Sequence, residues 1–188
     1  LLFDIVLHLG TLLAVIFFGL GGLIGYPLYP FVQVDRLHLT YTEIGLLGLC
    51  QSLCWVVGLY VWGRLIDRLG GPRCLVFCAL ISASVPLTYL FASDGWMLAL
   101  AFAASGFANA CVDIGFLSTS ISLAPPERVS EYAATQSMVI GARGLIGSFL
   151  GVALVRVGFS FEFVFVLGAC LKLLSAVVFA RVQRTTGK

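Results

Sequence analysis

Gly63-Arg64-Leu65-Ile66-Asp67-Arg68-Leu69-Gly70-Gly71-Pro72-Arg73 is a short polar passage between two long apolar runs, residues 42–62 and 74–92. Its chemistry is that of a tight connection between two helices. The glycines permit a sharp turn, and Pro72 suits the first turn of a following helix because its missing N–H has no partner there anyway. Asp67 offers an acceptor to a helix N-terminus or to a neighbouring arginine. Arg68 and Arg73 favour the cytoplasmic side of a membrane.

The rest of the chain sets the medium. Of 188 residues 60% are hydrophobic and 11% are charged, and the mean hydropathy is +1.06. A soluble domain carries about 25% charged residues, so this composition implies an all-α integral membrane protein surrounded by a lipid bilayer. The net charge of +2 is too small, and the basic residues too scattered, to suggest nucleic acid. The chain begins on leucine with no basic segment ahead of the apolar run. That is not a signal peptide, and it reads as part of a longer chain or as a fragment. The six cysteines (Cys50, Cys54, Cys74, Cys78, Cys111 and Cys170) lie in or beside apolar runs. Cys50/Cys54 and Cys74/Cys78 each share a helix face, but no His or carboxylate joins them at ligand spacing, so they read as packing residues rather than a metal site. No cofactor is expected.

A spanning helix needs about 20 mostly apolar residues. Six segments have that length, at about 5–32, 42–62, 74–92, 96–123, 132–155 and 161–180. Turn and cap residues separate them. Thr40 and Glu43 have capping-box spacing. Gly70-Gly71-Pro72, Ser93-Asp94-Gly95, Pro125-Pro126-Glu127 and Gly158-Phe159-Ser160 mark the later breaks, with Ser130 a candidate N-cap. No long polar linker appears, so residues 1–188 form one membrane domain. Pro27 and Pro30 should bend or break the first span, and Pro86 the third. Gly21 with Gly25, and Gly147 with Gly151, have the spacing that lets two helices approach closely.

Six spans place both termini on one side. That side carries Arg64, Arg68, Arg73, Arg128, Arg181, Arg184 and Lys188, and the other only Arg36 and Arg156. The positive-inside bias therefore puts the termini and the Gly63–Arg73 passage in the cytoplasm of a multi-pass protein of the cell (inner) membrane.

Asp113 and Arg143 fall inside spans. Asp113 lies ten residues before the cytoplasmic end of its span and Arg143 eleven after the start of the next, which puts both ~15–17 Å deep. Ionisable groups at that depth are costly and are candidates for function. Ser105, Asn109 and Asp113 recur every fourth residue and face one way, as do Gln51 and Trp55; Gln136 lies two turns from Arg143. Asp113, Arg143, Asn109, Gln51 and Gln136 are the candidate lining of a substrate path. The competing reading is a static Asp113–Arg143 ion pair that joins two helices. Lys172 is expected to reach the cytoplasmic interface by snorkelling.

Gly63, Leu65, Asp67, Arg68 and Gly70 resemble the signature loop of the major facilitator superfamily, G-x-L-x-D-R-x-G-R/K-R/K. Gly71 and Pro72 replace its usual basic pair, and Arg73 keeps one cation just beyond. Tyr26-Pro27-Leu28-Tyr29-Pro30 with Tyr41–Leu47, and Pro126-Glu127-Arg128 with Gly141–Gly147, are similar to the same family, so the resemblance covers about residues 17–188. It implies a six-helix half, here the C-terminal one, of a secondary transporter that moves a small-molecule substrate, with or without a coupling ion, by rocking against a second half. Gly63, Asp67, Arg68, Gly70 and Arg73 would then form the conformational motif, with Asp67 bracing one state against the opposite half. The partner would be the missing N-terminal half or a second copy of this chain.

Residues 3–18, FDIVLHLGTLLAVIFF, resemble a helix of undecaprenyl pyrophosphate phosphatase, and Asp4 and His8 share a helix face. Phosphate chemistry needs cationic and backbone N–H groups to grip the substrate and an activating base. The chain has neither the glutamate-rich nor the Pro-Gly-x-Ser-Arg segments of that family, and its first eighteen residues hold no Arg or Lys. Asp4 and His8 read as an interfacial acid and a histidine at the helix start. No catalytic residues are expected. Three alternatives stand beside the transporter half: a truncated or fused fragment that transports nothing, foreign origin of residues 1–18, and, last, part of the phosphatase.

Overall fold

The structure, a computed structural model, describes the backbone of residues 2–186 and the side chains of residues 9–184 other than 120 and 123. The side chains of Asp4 and His8, and Lys188, lie outside the described residues. Six long helices account for most of the chain: α1 Leu2–Leu23, α2 Tyr41–Leu69, α3 Gly71–Phe91, α4 Gly95–Leu123, α5 Val129–Arg156 and α6 Phe161–Thr186. Each is apolar and long enough to cross a membrane.

The first span is not one helix to residue 32. α1 stops at Leu23, and the chain continues as a 3₁₀ turn Tyr26–Leu28, a single α turn Tyr29–Phe31 and a π turn Val32–Arg36. Pro27 and Pro30 cause the break, since neither donates an N–H and each ring crowds the turn before it. Thr40 then caps α2. Its Oγ1 accepts from the Glu43 N–H at 3.3 Å, and its own N–H donates to Glu43 Oε2 at 2.8 Å.

The Gly63–Arg73 passage is mostly helix rather than loop. Nothing between Trp62 and Leu69 ends α2, so the helix runs to Leu69, and α3 begins at Gly71 with Pro72 in its first turn. Gly70 alone reverses the chain, at φ +82° and ψ 155°, a conformation that only glycine adopts without strain. Asp94 Oδ1 accepts from the Met97 N–H at 3.0 Å and opens α4, and Ser160 Oγ does the same for Phe163 at 3.3 Å and opens α6. Ser130, expected as a cap, lies inside α5. The 3₁₀ turn Pro126–Arg128 feeds straight into Val129, and Arg128 Nη2 reaches Glu131 Oε2 at 2.6 Å across the junction.

Helices in lipid associate by close packing rather than by escape from water. α2 packs chiefly on α4, α3 on α6 and α4, and α1 on α6 and α5. Small residues make the crossings. Gly58 meets Ala110, Gly147 meets Leu23, Gly21 meets the Gly168 carbonyl, and a Cβ on Gly151 would fall on the Ile24 carbonyl. One core, around Val15, Phe18, Trp62, Cys74, Cys78, Cys111 and Phe179, lies toward the Gly70 end. A second, around Ile24, Val85, Tyr89, Leu98 and Phe165, lies toward the Thr40 end. Only 6% of the apolar stretch of α2 and 17% of that of α5 is buried, against 50% for α3, so α2 and α5 form the open side of the bundle.

Candidate functional site

The open side is polar along one seam. At its centre α2 and α4 touch: a Cβ on Gly106 would overlap the Gln51 carbonyl. That contact sets Gln51 and Trp55 opposite Ser105, Asn109 and Asp113. Gln51 Nε2 donates to Ser105 Oγ at 3.4 Å, and Trp55 Nε1 donates to Asp113 Oδ2 at 2.8 Å. Asn109 and Asp113 are exposed. Gln51, Ser52, Trp55, Asn109 and Asp113 line a cavity of about 310 Å³.

Two further cavities adjoin it. Asp113 is also on the wall of one of about 270 Å³ between α4 and α5, with Phe116, Gln136, Ser137 and Arg143. Gln51 is also on the wall of one of about 250 Å³ toward the Thr40 end, with Tyr26, Tyr29, Gln33, Tyr89 and Phe102. All five expected lining residues, Asp113, Arg143, Asn109, Gln51 and Gln136, thus border this row of cavities.

The competing reading, an Asp113–Arg143 ion pair, is not what the structure shows: no such pair forms among the described residues. Asp113 is held by Trp55, and Arg143 turns the other way. It is 92% buried (8% exposed), donates from Nη1 to the Val15 carbonyl, and sets its guanidinium carbon 5.5 Å from the Phe116 ring centre. The reason is a notch in α1: a Cβ on Gly19 would fall on the Arg143 side chain. Arg143 Nε and Gln136 Oε1 are buried without a hydrogen-bond partner.

Lys172 does not snorkel. Its ammonium donates to Ser82 Oγ inside the bundle and sits 5.1 Å from the Phe18 ring centre. Gly21 makes room for its stem, since a Cβ there would come 2.8 Å from Lys172 Cγ. The signal in the sequence was the Gly21-Gly22 pair, two small residues where a side chain from α6 enters.

The signature motif gathers at the Gly70 turn. Asp67, Arg68 and Arg73 are exposed, while Gly63 faces open space. Asp67 makes no hydrogen bond or ion pair among the described residues. Arg64 lies over the Tyr60 ring at 3.5 Å. Of the cysteines, Cys74, Cys78 and Cys111 pack in the core, Cys50 and Cys54 are half-buried, and Cys170 is exposed. Sequence reasoning missed the tyrosine-lined cavity; its signal was Tyr26 and Tyr29 on either side of the Pro27 break.

Six membrane-length helices with one polar, exposed seam define a multi-pass membrane protein. The Major Facilitator Superfamily profile matches residues 3–188, and the chain belongs to that family. It is a family of transporters, not of enzymes. The multidrug resistance protein MdtH of Yersinia enterocolitica is 30% identical over 158 residues, 84% of this chain and 39% of that protein. The proteins of the same name from Yersinia pestis and Yersinia pseudotuberculosis are 29% identical over the same share. The chain therefore spans about two-fifths of the length of these relatives. Residues 3–18 lie inside the family match, and nothing in the comparisons supports their likeness to the phosphatase.

Proposed function

We propose that the chain is one half of a secondary transporter that carries a small solute across the cell (inner) membrane, with the seam between α2, α4 and α5 as its path. One observation carries this reading. Gln51, Asn109 and Asp113 are half-buried or exposed at membrane depth, on a chain that is otherwise strongly apolar. Polar and charged groups at that depth avoid lipid and face a cavity or another protein surface. The same seam lies on the sparsely covered side of the bundle, where a second half would close it.

Asp113 and Asn109 supply acceptor and amide groups to the solute or to a coupling ion. Gln51 and Gln136 orient it, and Arg143 holds α1 beside the path. The seven-to-two distribution of cations supports cytoplasmic termini and a cytoplasmic Gly70 turn. There Asp67, with Gly63, Arg68, Gly70 and Arg73 around it, would brace one state against an N-terminal half or a second copy. The likeness to proteins named for multidrug resistance favours export of a foreign compound as the solute's direction and class.

The test is transport in energised cells expressing the gene that encodes this chain, assayed with a panel of antimicrobial compounds. Asp113→Asn and Arg143→Gln should each reduce the rate several-fold. Normal transport by both variants would overturn the reading.

A further inference from the structure

The cavity at the Thr40 end differs in chemistry from the other two. Tyr26, Tyr29, Tyr89 and Phe102 give it four aromatic walls. The Tyr29 and Tyr89 rings are stacked, with centres 4.0 Å apart and planes 19° from parallel, and Tyr26 meets Tyr29 edge-on at 6.3 Å. Two carboxamides accompany the rings. Gln33 Nε2 donates to the Tyr89 hydroxyl at 2.7 Å, and Gln51 Nε2 to Ser105 Oγ at 3.4 Å. Both amides are fixed through their nitrogens, which leaves carbonyl oxygens and hydroxyls to meet a solute.

No residue on these walls is charged. The nearest acid along α4, Asp113, lies eight residues beyond Ser105, about 12 Å further along the helix. The faces of tyrosine rings attract cations, but only weakly compared with the cost of taking an unpaired charge out of water. A flat neutral ring meets no such cost, and offset or edge-to-face contact with the walls favours it.

We propose that this cavity, with Tyr26, Tyr29, Tyr89 and Phe102 as its walls, takes a flat, uncharged aromatic solute that carries hydrogen-bonding groups. The proposal rests on the reading of the seam as a transport path and names the solute class that enters it. Selection happens on the rings at the Thr40 end. Gln51, shared by two cavities, hands the solute on toward Asn109 and Asp113.

The test uses the purified chain in lipid nanodiscs, titrated with acridone, a fluorescent neutral tricycle, and with N-methylacridinium, a cation of the same shape. Acridone should bind saturably above its partition into empty nanodiscs, and at least tenfold more tightly than the cation. Tyr26 is 69% exposed, so Tyr26→Leu keeps the fold. That variant and Phe102→Leu should each weaken acridone by about tenfold, the scale of one aromatic contact. Trp96→Leu removes a still more exposed ring that lines a different cavity and should leave acridone unaffected. Binding no better than empty nanodiscs, equal affinity for the cation, or full affinity in Tyr26→Leu would overturn the proposal. Failure of acridone to bind, with Asp113→Asn and Arg143→Gln still defective in transport, would remove the solute class and leave the path. Normal transport by those two variants with acridone bound at Tyr26 would do the reverse.

Discussion

The indole N–H of Trp55 donates to Asp113 Oδ2 at 2.8 Å, and this bond joins α2 to α4 in the polar seam. It gives the only acid of α4 a neutral partner on one carboxylate oxygen and leaves the other oxygen for something else. A structural staple and a solute-binding acid make different demands here. Asp113→Asn retains an oxygen to accept from the indole, so thermal unfolding in detergent should change by less than about 1 kcal/mol. Transport should nevertheless fall several-fold. If stability fell sharply and transport per folded molecule did not, Asp113 would be a staple.

Arg143 and Gly19 make a lock and notch between α5 and α1. A Cβ at Gly19 would fall on the arginine stem, and the guanidinium donates to the Val15 carbonyl just below. Gly19→Ala should therefore expel Arg143 and cost about 2 kcal/mol or more, on the scale of overpacking plus a lost charged hydrogen bond. Shortening the arginine removes the clash. The double variant Gly19→Ala with Arg143→Ala should be more stable than Gly19→Ala alone, and a double-mutant cycle measures the coupling. Simple additivity would mean that the two residues do not meet.

The Gly70 turn separates backbone demand from side-chain demand. At φ +82° and ψ 155°, alanine pays a steric cost, and Gly70→Ala should destabilise the chain by about 1–2 kcal/mol. Asp67, three residues earlier, is exposed and makes no hydrogen bond among the described residues. Asp67→Asn should leave the melting temperature of the purified chain unchanged while it impairs transport in the assembled protein. A large loss of stability on Asp67→Asn would reveal a partner already bound to the purified chain.

The six spans were legible because lipid imposes one requirement on every crossing: about 20 apolar residues between polar breaks. The Thr40–Glu43 box was legible because capping acts over three residues and needs no tertiary context. Residues 63–69 were misread as loop because glycine and charge suggest a break, yet neither removes a helical hydrogen bond as proline does. The five residues proposed to line the path were picked out by depth and periodicity, which give the height of a side chain and its helix face. They do not give the rotation of one helix against the next. Glycine contacts such as Gly147 on Leu23 set that rotation, so the destinations of Arg143 and Lys172 needed the fold.

Lys172 gives the sharpest contrast between burial and stability. The residue is 6% exposed, and its ammonium donates to Ser82 Oγ and lies beside the Phe18 ring. It makes no ion pair with a carboxylate among the described residues. A hydroxyl and a ring face return less than the several kcal/mol that such burial costs. Met has nearly the same length and no charge, so Lys172→Met should raise the melting temperature of the purified chain. Ser82→Ala leaves the ammonium in place without its acceptor and should lower stability by about 1–3 kcal/mol. In the double variant the serine no longer has a cation to satisfy, and the cost of Ser82→Ala should shrink to that of a small packing change. Transport decides why the charge is retained. A stabilised Lys172→Met that still transports would make Lys172 a packing residue, and a stabilised variant that does not would make its ammonium part of the transport cycle.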